Sequence, residues 1–240
     1  YNYDPKKNQI NERIYLPLDT TYQQLKEDLG QFSYVNRKNV FYFSLYDRVY
    51  AYNITSRQYT VLTKNASGDN FAMLETAKCF VWSNAGSKKP ATAITLLDLE
   101  SEKKRTIKAP KNQYIKVLGT IDSSIVYGFV RKTDLYESKE GEQLLPVYKL
   151  IIANSQGEIL KQYQTKNVYI IKTYVDKDII RLKRVRRSGN HFKNISDDSI
   201  QHQQDNKAKS FDLTARVTDR SLTEKYLSLP AGFVMKGKPN

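Results

Sequence analysis

The chain has 240 residues, of which 40% are hydrophobic, and its 39 Lys and Arg against 25 Asp and Glu give a formal net charge of +14. This length supports one substantial core or two small ones, and a membrane-spanning helix within the sequence is excluded because no apolar run approaches the roughly 20 residues that cross a bilayer. The single cysteine excludes an internal disulfide, while the positive charge favours an anionic partner such as nucleic acid, an anionic membrane or an acidic polymer.

The first predicted element is a helix over residues 19–30. An apolar stripe at helical spacing runs along it: Tyr22, Leu25 and Leu29. Asp19 or Thr20 is a suitable N-cap, and Gly30 stands where a left-handed residue commonly ends a helix. We expect this helix to cover one end of a sheet array.

A pattern of apolar run, polar turn and second apolar run occurs three times. It spans Tyr50–Leu62, Ile94–Ile107 and Val147–Tyr163, with turns near residues 55, 101 and 155. The spacing of roughly 45 to 55 residues is typical of propeller blades built from four short strands. The sequence therefore predicts an all-β fold of antiparallel meanders stacked as a β-propeller or partial propeller. One short N-terminal and one short C-terminal helix complete the prediction.

The stretch from Ser124 to Tyr163, which includes the third of these segments, carries the strongest local signals. Val126, Tyr127 and Phe129 are β-branched or aromatic, which favours a strand, and the turn from Asn154 to Gly157 predicts a hairpin. The charged segment Tyr136–Gln143 is interpreted either as a binding loop or as a solvated hairpin tip.

A basic strand supplies most of the predicted binding residues. The segment reads RLKRVRR, and its cations are Arg181, Lys183, Arg184, Arg186 and Arg187. Arginine offers bidentate contacts to phosphate or carboxylate, but a solvated edge strand that repels other edges by charge explains the same pattern. Trp82, before a Ser-Asn-Ala-Gly turn, is a further candidate for lining a pocket, or belongs to the core.

The C-terminal fifth is predicted to be irregular. We expect residues 1–187 to form the propeller-like domain, 188–210 a polar loop or linker, and 211–240 a strand, a short helix and a basic tail that is the start of a truncated remainder. The helix is predicted from the capping box Ser221-Leu222-Thr223-Glu224. Because the chain begins at Tyr1 rather than Met, we expect that an N-terminal leader or membrane anchor has been removed.

The segment PVYKLIIANSQGEILKQY, followed by YIIKTYVDKDIIRLKRV, resembles the repeats of bacterial extracytoplasmic β-propeller-like domains, which are anchored to the membranes of low-GC Gram-positive bacteria. The resemblance covers roughly residues 40–187, without the Trp-Asp and Gly-His signatures of one propeller family. It implies repeated four-stranded sheets, a partner-binding role and a location at the outer face of the bacterial membrane or secreted. It carries no catalytic residues to this chain.

No motif of catalysis is present: GxSxG, GxxxxGK[ST], GxGxxG, HExxH and CxxC are all absent. The two histidines, His191 and His202, stand in a loop-like stretch, and no recognised ligand spacing predicts a metal or other cofactor. We therefore expect a non-enzymatic scaffold that binds a protein or an anionic cell-wall polymer through loops at one end. A nucleic-acid-binding protein is the alternative, and a carbohydrate-active enzyme with an unidentified carboxylate pair is a second one.

Overall fold

The computed structural model describes residues 2–12, 15, 19–66, 70–86, 89–137, 143–176, 178–189, 191–202, 212–217 and 223–228. The chain divides into two compact units, Tyr1–Gln201 and His202–Asn240. The first unit begins with a small antiparallel pair, β1 (Asn2–Asp4) and β2 (Gln9–Asn11), followed by helix α1 (Tyr22–Gln31). Four larger sheets then follow one another along the chain.

The first two sheets are four-stranded antiparallel meanders with the strands in sequence order. The first sheet consists of β3 (Ser33–Val35), β4 (Val40–Leu45), β5 (Arg48–Asn53) and β6 (Gln58–Thr63). The second consists of β7 (Phe71–Leu74), β8 (Cys79–Ser83), β9 (Ala93–Asp98) and β10 (Lys104–Lys108).

The third sheet repeats this plan with an insertion between its second and third strands. Its first strands are β11 (Gln113–Ile121) and β12 (Ser124–Arg131). The insertion holds a 3₁₀ turn (Lys132–Asp134) and the short pair β13 (Tyr136–Glu137) and β14 (Gln143–Leu144). Strands β15 (Lys149–Asn154) and β16 (Ile159–Tyr163) complete the sheet.

In the described part of the chain, the fourth sheet has three strand positions, and the third position is shared by two short strands. It contains β17 (Val168–Asp176), β18 (Ile179–Ser188), β19 (His191–Asn194) and β20 (Asp198–Gln201). Strands β19 and β20 pair with successive parts of β18, and the Ile195 N–H donates to the Arg184 carbonyl between them at 3.1 Å. They therefore form one interrupted third strand.

The three repeated turns of the sequence join the third and fourth strands of the first three sheets. Each begins at an Asn or Asp whose Oδ1 accepts two backbone N–H groups at 2.7 to 3.0 Å: Asn53, Asp98 and Asn154. A left-handed residue closes each turn: Arg57, Glu102 and Gly157, with φ of 59°, 64° and 81°. The same local chemistry thus builds the same hairpin three times, and the predicted repeat is confirmed.

The core consists of three layers, one between each pair of neighbouring sheets. The layer between the first and second sheets includes Phe32, Tyr42, Phe80 and Leu97. The layer between the second and third includes Val81, Leu96, Ile125 and Ile151. The layer between the third and fourth includes Val126, Ile152, Ile170 and Leu182. Each sheet covers its neighbour's apolar face, as propeller blades do.

The first strands of the second, third and fourth sheets contact one another in succession, β7 with β11 and β11 with β17. They form the inner side of the array, from which the later strands fan outward. Among the described residues no core layer joins the first sheet to the fourth. The array is a partial propeller, which confirms the predicted fold class.

Helix α1 differs from its predicted bounds of 19–30. It begins at Tyr22 because Thr21 is the N-cap, with its Oγ1 accepting the Gln24 N–H at 3.2 Å, and Gly30 lies inside it. The buried helical residue is Asp28, whose carboxylate accepts the Tyr46 N–H at 3.0 Å and so holds the turn between β4 and β5. The next residue after the helix, Phe32, stacks on Phe80 at 4.7 Å and anchors it to the core.

Two predictions for the C-terminal part are wrong. Residues 223–228 form strand β22 (Thr223–Ser228), which pairs with β21 (Asp212–Val217), where a short helix was predicted. Strand pairing outweighs the capping-box signal, since a helix of one or two turns is marginal by itself. Within the predicted loop 188–210, residues 191–194 and 198–201 are strands. The remainder of that loop after residue 202 and the tail from 229 lie outside the described residues.

The close approach of Gly128 and Val147 gives a test of the packing between β12 and the residues that precede β15. A Cβ at Gly128 would stand 2.3 Å from the Val147 Cγ1 and 3.1 Å from the Lys149 carbonyl oxygen. We expect Gly128→Ala to lower the free energy of unfolding by about 1–3 kcal/mol, measured by denaturant titration. The matched control is Gly30→Ala, where no atom lies within 4 Å and a gain of about 0.5–1 kcal/mol is expected. Equal effects at both positions would contradict the described packing.

Candidate functional site

The basic strand of the sequence is β18, the central strand of the fourth sheet. It pairs with β17 on one side and with β19 and β20 on the other, so the interpretation as a solvated edge strand is wrong. Its alternate residues face opposite ways, and Leu182 and Val185 are buried on the two sides. The five cations therefore do not form one surface.

Arg184 connects the third sheet to the fourth. Its Nη1 donates to the Asp198 carboxylate at 2.6 Å and to the Tyr163 hydroxyl at 2.9 Å, and the arginine side chain is only 15% exposed. The Tyr163 hydroxyl also donates to Asp198 at 2.9 Å. These contacts hold the pKa of Asp198 below its usual value, with the Tyr163 hydrogen bond the largest cause. The guanidinium of Arg184 therefore has a structural role, because its hydrogen bonds are made within the protein.

Arg187 is bound to the insertion of the third sheet. Its Nη1 donates to Asp134 at 2.8 Å, and Arg131 donates to the other oxygen of the same carboxylate at 3.3 Å. Asp134 is 4% exposed, so two arginines compensate one buried charge. The fold thus brings one predicted residue, Arg187, next to an arginine that the sequence analysis did not select.

The other predicted residues lie apart from this cluster. Arg181, Lys183 and Arg186 are exposed, and the Arg181 ion pair with Asp176 at 3.7 Å joins two well-exposed groups, which contributes little. Trp82 lies on β8 and stacks on Phe80 at 5.3 Å, against the core layer between the first and second sheets. Their predicted binding role stays a prediction.

A pocket of about 320 Å³ lies where the third and fourth sheets meet. We call it the basic pocket, and its lining residues are Arg131, Tyr148, Gln164, Thr165, Lys166, Asn167, Val168 and Tyr169. They come from the end of β12, the residue before β15, the connection from β16 to β17 and the first two residues of β17. In a propeller these connections emerge at the same end of the array.

The guanidinium of Arg131 is held in place at this pocket. It lies over the Tyr148 ring with its Cζ 3.8 Å from the ring centroid, and the Tyr148 hydroxyl donates to Gln113 at 2.9 Å. With Asp134 on one side and the ring beneath, the arginine has little freedom left to lose on binding. Lys166 provides a second, exposed cation.

The charged side chains that line the basic pocket are all positive. Its described lining contains two cations and no carboxylate, imidazole or thiol, and the nearby Asp134 is already compensated by Arg131 and Arg187. Such a concavity suits one anionic group. No local sequence signal predicts this pocket, because Arg131 and Lys166 belong to different repeats. Only their common position at strand ends would have pointed to it.

Two of the carboxylates that the alternative hypothesis of a glycosidase could use are engaged elsewhere. Asp98 accepts the backbone N–H groups of its own turn, and Asp134 binds two arginines. No group of three or more metal-ligating side chains occurs among the described residues. In the same part of the chain, no helix has the length and apolarity to span a membrane.

No protein-family model matches the chain, and no curated protein sequence matches it. Solved structures that resemble it include the β-propeller domain of the Trilobed protease from Pyrococcus furiosus, which has an open velcro topology, at 12% identity and TM-score 0.35. This match covers 85% of this chain and 70% of that one. Acylaminoacyl peptidase from Pyrococcus horikoshii matches at 9% identity and TM-score 0.32 over 71% and 33% of the two chains. The WD40 domain of SCAP from fission yeast matches at 14% and 0.28 over 72% and 44%.

The match therefore spans about a third of the length of the second of these structures and under half of the third. The assignment of this chain to the propeller architecture rests on its own strand order and its three core layers.

The contact of Arg184 with Asp198 predicts a pH dependence. Because folding lowers the pKa of Asp198, its carboxylate stabilises the fold above the unfolded pKa of about 3.9, and this contribution is lost as the pH falls through the folded pKa. We expect the stability advantage of the wild type over Asp198→Asn to shrink from about pH 7 to about pH 3, measured by denaturant titration. An advantage that stays constant over this range would contradict the assignment.

The lone thiol gives a second test. Cys79 is fully buried, and burial raises the pKa of its thiol to about 12. Since the thiolate is the reactive form, we expect almost no reaction of the native chain with a disulfide reagent at mildly alkaline pH. In denaturant we expect one thiol per chain to react at once. Rapid reaction of the native chain would place Cys79 outside the core.

Proposed function

We propose that this protein is a non-enzymatic binding module that holds an anionic group of a partner protein in the basic pocket. The observation that carries the proposal is the pocket lining, with Arg131 and Lys166 as cations and no carboxylate. The anionic group is an Asp or Glu side chain in an acidic segment of the partner. The overall charge of +14 draws such a segment toward the protein before contact.

The geometry of Arg131 supports recognition of a carboxylate. Its guanidinium is stacked on the Tyr148 ring and its Nη1 donates to Asp134, so the N–H groups on Nε and Nη2 are the ones that can contact a partner carboxylate. Lys166 adds a mobile charge beside it. The 3₁₀ turn Lys132–Asp134 follows Arg131 directly and adds to the surface available to a protein partner.

A polymer partner fits the charge distribution less well. Binding along an anionic cell-wall polymer or a nucleic acid calls for a continuous basic groove that follows the backbone. Here Arg184 and Arg187 are engaged within the fold, and Arg181, Lys183 and Arg186 are divided between two faces of β18. A single pocket of this kind can bind one anionic side chain but does not extend along a repeating polymer.

The proposed role is binding alone. The described lining of the basic pocket has no carboxylate, imidazole or thiol to serve as a base or nucleophile. The location at the outer face of a bacterial membrane stays a prediction from the sequence. An apolar helix directly before Tyr1 in the full-length gene product would support it, and a start methionine a few residues upstream with no such helix would weigh against it.

We expect a fluorescent oligoglutamate peptide to bind the full chain, with its affinity falling about tenfold in Arg131→Gln and in Lys166→Gln. The measurement is fluorescence anisotropy at two salt concentrations. The matched controls are Arg48→Gln and Lys108→Gln, whose exposed side chains lie in the first and second sheets. Thermal melting identifies any variant that unfolds, since Arg131 also supports Asp134.

Equal affinity in all four variants would overturn the basic pocket as the site. Single-stranded DNA and polyphosphate serve as competing probes. Tighter binding of either one than of oligoglutamate, retained at high salt, would favour the alternative of a nucleic-acid or polymer partner.

A further inference from the structure

A second concavity lies on the outer rim, between the first and second sheets. We call it the outer crevice, and its volume is about 370 Å³. Residues of β4, β5 and β6 and of the turn before β6 line it on the first sheet, and Leu97, Glu102 and Lys104 line it on the second. The volume lies within the range of roughly 300–1,000 Å³ that is usual for small-molecule sites.

The phenol of Tyr42 is a hydrogen-bonding group of this crevice. The residue is 2% exposed and lines the crevice. Burial raises the pKa of Tyr42 to about 12, with smaller contributions from Glu102 and Glu100, so the phenol is a neutral donor. Because Tyr42 lines the crevice, its hydroxyl can donate a hydrogen bond to a molecule bound there.

The walls of the crevice combine three kinds of groups. Strand β6 and the turn before it supply neutral hydrogen-bonding side chains, Ser56, Gln58 and Thr60. The opposite wall supplies one carboxylate, Glu102, and one ammonium group, Lys104, whose charges cancel. The floor is aliphatic, formed by residues of both sheets: Val40, Ala51, Leu62 and Leu97.

We propose that the outer crevice binds a neutral saccharide unit. A sugar ring has hydroxyl groups that both donate and accept, which match the Tyr42 phenol, the β6 side chains and the carboxylate of Glu102. Its C–H faces match the aliphatic floor. The zero net charge of the lining disfavours an anion and distinguishes this site from the basic pocket, on which the inference does not depend.

The architecture explains why such a site forms here. Strands in a propeller fan outward from the axis, so that the outer strands of neighbouring sheets diverge. Between the first and second sheets, the inner part of the gap is filled by the stacked rings of Phe32 and Phe80. The outer part carries short polar side chains on β6, which leave the gap open.

The test is saturation-transfer NMR and calorimetry on the full chain with glucose, N-acetylglucosamine, maltose and cellobiose. We expect at least one of these sugars to bind, with affinity reduced about tenfold in Tyr42→Phe and also reduced in Thr60→Val. The control is Tyr127→Phe, which removes an equally buried phenol from the layer between the second and third sheets and leaves sugar affinity unchanged. Arg131→Gln leaves it unchanged too.

Thermal melting separates loss of the site from loss of the fold. Because Tyr42→Phe removes only the hydroxyl and keeps the buried ring, it is expected to melt close to the temperature of the wild type. Binding of none of the sugars, which would mean that the crevice holds water only, would overturn the proposal. Sugar binding that is equal in the wild type, Tyr42→Phe and Thr60→Val would overturn it as well.

Discussion

The structure depends on the burial of sheet faces against neighbouring sheets. A four-stranded antiparallel sheet with apolar side chains on both faces has no stable existence in water by itself. Val126 of the third sheet faces the fourth sheet, whereas its neighbour Ile125 faces the second, so one strand serves two core layers through simple alternation. This requirement fixes the order of the sheets and leaves the strand connections at the two ends of the array.

Both proposed sites arise from this geometry rather than from a dedicated motif. The basic pocket forms where connections from two repeats emerge at one end, and the outer crevice forms where two sheets diverge. In each case neighbouring residues hold a lining side chain in place. The Tyr148 hydroxyl donates a hydrogen bond to Gln113, and Tyr42 packs in the core layer between the first and second sheets. Supporting a binding side chain on a rigid element reduces the entropy that binding would otherwise cost.

The sequence predicts the parts of this structure that local chemistry determines. Asn154 and Gly157 specify a turn without help from the rest of the chain, and so the repeat and the fold class were predictable. The roles of Arg184 and Arg187 were not, because their partners Asp198 and Asp134 are set by how sheets pack. The capping box near Ser221 failed for the complementary reason, since a local helix signal competes with strand pairing that the sequence does not display.

The contact of Val147 with Ile170 has a consequence for how the array comes apart. Each residue donates its N–H to the other's carbonyl, at 2.9 and 2.8 Å, across the boundary between the third and fourth sheets. The third and fourth sheets cannot separate without breaking these main-chain hydrogen bonds, so the two sheets unfold together as one cooperative unit. The first repeat is held to the second through side chains such as Asn36, which donates to the Leu99 carbonyl at 2.8 Å. Amide hydrogen exchange would therefore begin at the first repeat, while the end that carries the anion-recognising residues remains rigid.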